Sequence, residues 1–282
     1  MLGRLLVRFL RPYWPLLLGV VVFQLGQSIA SLYLPTLNAD IIDNGVAKGD
    51  TNYILRTGGL MLLITFGQVV FSIVAVYFGA RTAMAFGRDV RGAVFHQVGQ
   101  FSEREVSRFG APSLITRTTN DVQQVQMLVL MICTLLVSAP ILAIGGVIFA
   151  LQQDVQLSWI LVVAVPVLLI GIALIIARML PQFRKMQARI DTINRVLREQ
   201  LTGIRVVRAF VREPVEVARF ADANAALTET ALRAGRLFAL MFPFVMLVMN
   251  VSSVGVLWIG AGRIDSGELQ VGSLVAFLSY LV

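Results

Sequence analysis

The chain has 282 residues, of which 57% are hydrophobic and only 14% are charged, and its mean hydropathy is +0.80. A soluble domain usually has about a quarter of its residues charged, so this composition excludes an ordinary water-soluble fold and indicates a membrane protein. The net charge of +8 does not indicate nucleic-acid binding, because the 24 lysines and arginines are grouped between apolar runs without interleaved aromatic residues.

Six uncharged runs predict six membrane-spanning helices. Five of them have between 23 and 32 residues, more than the roughly 20 that a helix needs to cross a bilayer. The sixth has 14 residues and stops where the sequence stops, so we predict a spanning helix that is cut short. None of the runs alternates with the two-residue period of a membrane barrel. We therefore predict an all-α membrane protein, with spans at about 14–40, 57–80, 122–152, 156–178, 237–260 and 269–282.

The basic residues predict the orientation. Twenty-one of the 24 precede the first run or lie in two long connections, residues 81–121 and 178–236. Only Lys48, Arg56 and Arg263 lie on the other side. By the positive-inside rule the 21 face the cytoplasm. We therefore expect a multi-pass protein of a bacterial plasma membrane, with a cytoplasmic N-terminus.

The two long cytoplasmic connections read as helical hairpins, because connections of this length are rarely unstructured. In the second, apolar residues recur at spacings of three and four between Phe183 and Leu201, the pattern of one helical face. Pro214 then ends one helix and opens the next. The first hairpin turns at a polar segment before Pro112. We predict two stiff stalks, each ending in a short transverse element, and the second such element begins at Gly203.

Two segments at these turns resemble signatures of ATP-binding-cassette (ABC) exporters. Residues 109–122 are similar to the family's Phe-Gly tip followed by Leu-x-x-Arg-x-Thr-Asn-Asp, and residues 201–220 resemble the signature of its second cytoplasmic hairpin. The resemblance covers essentially the whole chain. The variant at residues 113–121 is most similar to multidrug-type half-transporters that pair with a different half, so a heterodimer is favoured over a homodimer.

The resemblance implies that each stalk tip is a coupling helix seated in a groove of a nucleotide-binding domain. A simple solvated helix end is the alternative for either tip alone. The first coupling helix would comprise Ser102, Glu103, Arg104, Glu105, Val106, Ser107, Arg108, Phe109 and Gly110. The second would comprise Gly203, Ile204, Arg205, Val206, Val207, Arg208, Ala209, Phe210, Arg212 and Glu213.

The sequence lacks a nucleotide-binding motif. No Gly-x-x-x-x-Gly-Lys-Ser/Thr stretch occurs, and neither Lys48 nor Lys185 follows a glycine. The chain as given is therefore not expected to be an enzyme or to bind a cofactor, and ATP and Mg²⁺ are expected on a nucleotide-binding domain outside it. We expect a truncated half-transporter rather than a separate permease. With one histidine and one cysteine, Cys133, we expect no metal site.

Polar and adaptable side chains inside the spans are candidates for a cavity that binds amphipathic, xenobiotic or lipid-like compounds. Ordinary packing between helices is an equal or better explanation for any one of them. The candidates are Gln24, Gln27, Ser31, Gln68, Met127, Met131, Phe242, Met246 and Asn250.

Two other classes of function remain open. A secondary carrier would need ionisable residues inside the membrane, and the five full spans contain none. A membrane scaffold would use the stalks only to dock a cytosolic protein. A Walker A motif encoded downstream of residue 282 would favour the exporter, whose partners would be nucleotide-binding domains, a second half-transporter and the lipid bilayer, with no nucleic acid.

Overall fold

A computed structural model describes residues 2–281, and most of them are helical. The α-helices, in chain order, are α1 (Leu2–Leu10), α2 (Trp14–Asp40), α3 (Thr51–Gly99), α4 (Glu103–Phe109), α5 (Ala111–Thr116), α6 (Val122–Met131), α7 (Ser138–Gln153), α8 (Ser158–Ala209), α9 (Glu213–Asp265) and α10 (Val271–Leu281). A 3₁₀ turn, Arg11–Tyr13, joins the first two, and π-helical segments lie at Ile41–Val46, Arg117–Asp121 and Ile132–Leu136.

Five helical stretches are long and apolar enough to cross a membrane. They are Leu2–Val46, Thr51–Gly99, Ala111–Gln153, Ser158–Ala209 and Glu213–Asp265, and α10 is a shorter apolar helix. No strand occurs between residues 2 and 281, so the predicted all-α fold class is confirmed. α8 has 52 residues and is therefore about 78 Å long, well over twice the thickness of the hydrocarbon layer.

The chain forms two compact units. The first contains the residues up to Ser158 together with those from Gly260 onward, and the second is Trp159–Ile259, which comprises most of α8 and α9. Each unit therefore has its own packing.

The first unit is organised by close packing of α2 against α3. Gly19 and Gly26 lie seven residues apart on α2, and each is in contact with the ring of an aromatic residue on α3, Phe78 and Phe71 respectively. The added Cβ of a larger residue would come within 3.3 Å of the Phe78 ring and 3.0 Å of the Phe71 ring. Phe23, between the glycines, stacks on Phe78 with ring centroids 5.8 Å apart. This seven-residue alternation of small and aromatic residues fixes the antiparallel register of the two helices.

The buried core of the first unit lies where α2, α3 and α6 meet. Val20, Phe86 and Val129 are among its fully buried residues, with Cys133 beside them. Such interiors are packed as tightly as organic crystals, so this cluster holds the second half of α3 rigidly against its neighbours.

α10 is attached to α2 at both ends. The backbone N–H of Gly272 donates to Oδ1 of Asp43 at 2.7 Å, and a Cβ at Gly272 would lie 2.3 Å from the Ala39 carbonyl oxygen. Near the other end, the Tyr280 hydroxyl lies 2.8 Å from the Leu32 carbonyl oxygen, to which it donates. Gly272 is thus a position where only a residue without a side chain fits.

The turns on the side predicted to be external carry an ion pair. Arg263 Nη1 lies 2.5 Å from Asp154 Oδ1, and its Nε lies 3.3 Å from Glu268 Oε2. The same Asp154 oxygen accepts the N–H of Leu157 at 2.8 Å just before α8. The side chains of Arg263 and Asp154 are only 17% and 10% exposed, whereas that of Glu268 is 61% exposed. The connection before α8 is thereby tied to the one before α10.

The second unit is an antiparallel pair of helices. Gly171 of α8 accommodates the ring of Phe244 on α9, where a Cβ would lie 2.1 Å from the ring carbon Cζ. In the arms that lead to the second tip, Arg219 Nη2 lies 2.5 Å from Glu199 Oε2 and ties the two helices together.

The second stalk differs from the sequence prediction. We expected a break at Gly203 followed by a transverse element, but α8 continues through Gly203 to Ala209. One glycine in a helix interior costs only about 1 kcal/mol relative to alanine, and the apolar and arginine residues after it are adequate helix formers. The predicted start of α9 near Pro214 is confirmed, since this helix begins at Glu213.

Candidate functional site

The tip of the first stalk is a separate short helix, α4, capped at its start. The backbone N–H of Ser102 donates to Glu105 Oε2 at 2.8 Å, and its hydroxyl donates to the same oxygen at 2.9 Å. The N–H of Glu105 returns to the Ser102 hydroxyl oxygen at 3.4 Å, which completes a capping box. The hydrogen bond from the Ser102 N–H, and to a smaller extent the one from its hydroxyl, lower the pKa of Glu105. A charged Glu105 therefore stabilises the first turn of α4.

The other end of α4 is closed by Gly110, whose φ of 78° places it in a conformation that favours glycine. Its N–H donates to the Val106 carbonyl oxygen at 2.8 Å. Phe109 stacks on Phe101 with ring centroids 5.7 Å apart, and the guanidinium of Arg117 lies 5.2 Å from the Phe109 ring centroid. These contacts hold α4 against the two arms of its hairpin.

The outward side of α4 is charged. Glu103, Arg104, Ser107 and Arg108 are exposed, whereas Val106 is half-buried. All nine residues predicted for the first coupling helix thus lie in α4 or cap it. The structure brings them together in one short helix that is capped at both ends and charged on its outward side.

The tip of the second stalk is a tight turn rather than a helix of its own. Val211 has a φ of 51°, the single positive value for a residue other than glycine among residues 2–281. Its neighbour Arg212 donates its N–H to the Val207 carbonyl oxygen at 2.9 Å. This left-handed conformation is unfavourable for a β-branched residue, so the turn stores strain.

Large apolar side chains are exposed at this second tip. Phe210 is 73% exposed and Val211 is 78% exposed, and Val206 is also exposed one turn earlier. The ten residues predicted for the second coupling helix occupy the last two turns of α8, the turn itself and the first residue of α9. Three large apolar side chains are thus exposed together at the second tip.

The cavity candidates of the first unit differ in their exposure and fall into three groups. Gln24 is buried, and its Nε2 donates to the Thr134 carbonyl oxygen at 3.3 Å. Met127 and Met131 are exposed on one face of α6, whereas Gln27, Ser31 and Gln68 are half-buried.

An open cavity of about 520 Å³ lies along this face of α6. Three polar residues that were not among the predicted candidates line it together with Met127 and Met131, namely Asn120, Gln123 and Gln124. The sequence contained a signal for them, since Asn120, Gln123 and Gln124 precede Met127 by seven, four and three residues. These spacings place them on the same helical face as Met127. The face combines amide and thioether groups, which suits molecules with both polar and apolar parts.

In the second unit the candidates are less concentrated. Phe242 and Asn250 are exposed on α9, and Met246 is half-buried. The principal groove between α8 and α9, about 580 Å³, is apolar and is lined by other residues, including Trp159, Val163, Phe244 and Val251.

No group of three histidine, cysteine or acidic side chains that could hold a metal ion occurs within residues 2–281.

Comparison with known proteins gave a family match. The sequence model of the ABC transporter transmembrane region matches residues 17–282. The chain is 55% identical over 280 residues to an uncharacterized ABC transporter ATP-binding protein of Mycobacterium tuberculosis, and the alignment covers 99% of this chain and 48% of that protein. It is 33% identical to an uncharacterized ABC transporter ATP-binding protein of Bacillus subtilis, over 96% of this chain and 48% of the other.

A third relative is the ATP-dependent lipid A-core flippase of Chromohalobacter salexigens, at 25% identity over 99% of this chain and 48% of the flippase. The chain thus spans about half the length of the curated relatives it matches.

Proposed function

The chain belongs to the ABC transporter transmembrane region family, as its two hairpin signatures indicated, and from this we propose that it forms the membrane-spanning half of an ATP-driven exporter. It is a multi-pass membrane protein with five long apolar helices. In this function it provides the pathway through the bilayer, and nucleotide-binding domains provide the ATP hydrolysis.

The observation that carries this proposal is the construction of the two stalk tips. α4 is capped at both ends and held by the Phe101, Phe109 and Arg117 contacts, so a force applied to it passes into α3 and α5. The second tip exposes Phe210 and Val211 at the end of helices of more than 50 residues. Rigid elements with exposed docking residues at their ends suit transmission of motion to the membrane.

The test uses the protein as its gene encodes it, reconstituted in lipid vesicles with its nucleotide-binding domains. Substitution of Arg104 and Arg108 by alanine is expected to weaken docking of the domains about tenfold, equivalent to about 1.4 kcal/mol. The control substitutes Arg184 and Arg195, which are exposed on α8 away from both tips. Equal ATP hydrolysis and domain binding in both variants would contradict the assignment of α4.

For the substrate, we infer an amphipathic molecule, which fits the amide and thioether face of α6. The flippase relative, whose name states transport of a lipid A core, is compatible with this class. Gln123→Leu together with Gln124→Leu is expected to lower stimulation of ATP hydrolysis by amphipathic compounds. Basal hydrolysis should stay unchanged, because both residues lie in α6 and neither belongs to α4 or to the turn of the second tip. A variant stimulated as strongly as the parent would exclude this face.

A second half-transporter is the expected partner, and a heterodimer is favoured by the likeness of residues 113–121 to paired half-transporters. The test is co-expression of two copies with different affinity tags. Purification through one tag should not recover the other if the partner is a different chain, whereas recovery of both tags identifies a homodimer.

A further inference from the structure

The first helix, α1, has an apolar face that is fixed to the body of the first unit. Leu6, Phe9 and Leu10 pack against the core cluster, and the Phe9 ring meets the ring of Phe86 edge-on with centroids 6.3 Å apart. Since these contacts determine which side of α1 is turned inward, they also determine which side is turned outward.

The outward side carries three arginines. Arg4 and Arg8 lie about 40° apart around α1 at 3.6 residues per turn, and Arg11, three residues later, is the first residue of the 3₁₀ turn that follows α1. All three are exposed, and they line a shallow surface cavity of about 470 Å³. We call these three residues the basic face of α1.

The basic face has no neutralising partner within the described part of the chain. No carboxylate forms an ion pair with Arg4, Arg8 or Arg11. The first acidic residue of the sequence is Asp40, at the far end of α2. By contrast, Arg88 lies 2.9 Å from Asp89. Three clustered guanidinium groups without a counter-charge attract an anion from outside the chain.

The position of the basic face relative to the first span is fixed by the turn that joins them. The hydroxyl of Tyr13 donates to Asp89 Oδ2 at 2.5 Å, and Nη2 of Arg88 donates to the Tyr13 oxygen at 3.1 Å. This network ties the turn to α3. The span begins immediately afterwards at Trp14, so the basic face lies at the depth where phospholipid headgroups meet the hydrocarbon layer.

We propose that the basic face of α1 is a binding site for the headgroup phosphate of an anionic phospholipid. Arginine presents several N–H donors in a planar fork that matches phosphate oxygens, and basic residues next to a membrane span are attracted to anionic lipids. A lipid with net negative charge neutralises the positive charge of the three arginines, whereas a zwitterionic lipid does not. Its residues are separate from those that line the cavity along α6 and from α4.

The test measures which lipids the intact transporter retains. The protein is purified from bilayer discs of phosphatidylcholine mixed with phosphatidylglycerol, and the bound lipids are counted by native mass spectrometry. The parent should enrich phosphatidylglycerol. The variant with Arg4→Gln, Arg8→Gln and Arg11→Gln should lose this enrichment, by about fivefold for each arginine removed. The enrichment of the parent should also fall as salt is raised.

A matched control removes the same charge elsewhere. The control carries Arg184→Gln, Arg195→Gln and Arg198→Gln. These three arginines lie on the exposed side of α8, in the stalk predicted to extend into the cytoplasm. The control should leave the enrichment unchanged. Lysine at positions 4, 8 and 11 should preserve most of it, since the charge remains. The proposal is overturned if the glutamine variant enriches phosphatidylglycerol like the parent. It is also overturned if the control loses enrichment equally, or if the lysine variant loses as much as the glutamine variant.

Discussion

Asp154, in the connection before α8, makes two contacts at once. Asp154 pairs with Arg263 and also accepts the N–H of Leu157. The charged pair is largely removed from solvent, so each partner depends on the other to offset its desolvation. Glu268 reaches the same arginine from an exposed position and should contribute little.

Asp154→Ala is accordingly expected to lower the free energy of unfolding by about 2–3 kcal/mol, because it leaves Arg263 without its buried partner and removes the hydrogen bond to Leu157. Glu268→Ala should change it by less than about 0.5 kcal/mol. Denaturant unfolding of the purified protein in detergent compares the two. Equal losses would mean that the arginine is held by solvent-exposed attraction alone.

The capping box of α4 makes the first tip sensitive to pH. The pKa of Glu105 is lowered in the folded tip, so the stabilisation is present above the ordinary value of 4.5 and is lost as the pH falls through the lower folded value. We expect the hydrogen-exchange protection of α4 amides to decrease on acidification below 4.5. Glu105→Ala should reduce the protection at neutral pH and remove its dependence on pH. Glu103→Ala, which leaves the box intact, should retain both.

At the level of helices, the predicted helical type is confirmed, and the five long uncharged runs lie in the five long apolar helices. Uncharged runs predict spans because charge is costly in lipid wherever it occurs. The break at Gly203 was wrong, because one glycine cannot offset the cooperative hydrogen bonding of a helix that is 52 residues long. The π-helical segment at Arg117–Asp121 had no signal in residue type or periodicity.

The packing of α2 on α3 gives a test at this scale. Gly26→Val should separate the two helices, since its Cβ would lie 3.0 Å from Cδ2 of Phe71. The expected loss is about 1–3 kcal/mol of unfolding free energy, the usual cost of overpacking. The control is Gly67→Val on α3, where a Cβ has open space around it. Thermal unfolding in detergent should separate the variants, and equal midpoints would contradict the packing role of Gly26.

For the whole molecule, the family predicted from the sequence is confirmed, and the coupling role of the stalk tips stays a prediction. Of the cavity candidates, Met127 and Met131 line the open face of α6. Gln24 and Met127 both lie in uncharged runs, yet the first is buried and the second is open. Which face of a helix is covered depends on contacts between segments distant in sequence, such as those of Gly26 with Phe71, and a single span contains no record of them. Asn120, Gln123 and Gln124 were missed for the same reason.

The predicted orientation is testable on intact cells with a membrane-impermeant maleimide. Cysteine introduced for Arg104 or Arg208 should be protected, and cysteine introduced for Ser266 should react, because the first two are expected in the cytoplasm and the third outside. The natural Cys133 is 2% exposed and gives a low background. Labelling of Arg104→Cys from the outside would reverse the topology and remove the basis for coupling to cytosolic domains.

The wide turn at Arg117–Asp121 has a consequence for how the chain tolerates changes of length. A π-helical turn holds one residue more than an α-helical turn, so deletion of one residue there would leave an ordinary helix with its downstream side chains almost in phase. The same deletion within α8 or α9 would rotate every later residue by about 100° and turn buried faces toward lipid. We therefore expect a single-residue deletion within Arg117–Asp121 to be tolerated. A single-residue deletion in α8 or α9 should disrupt the packing of the second stalk.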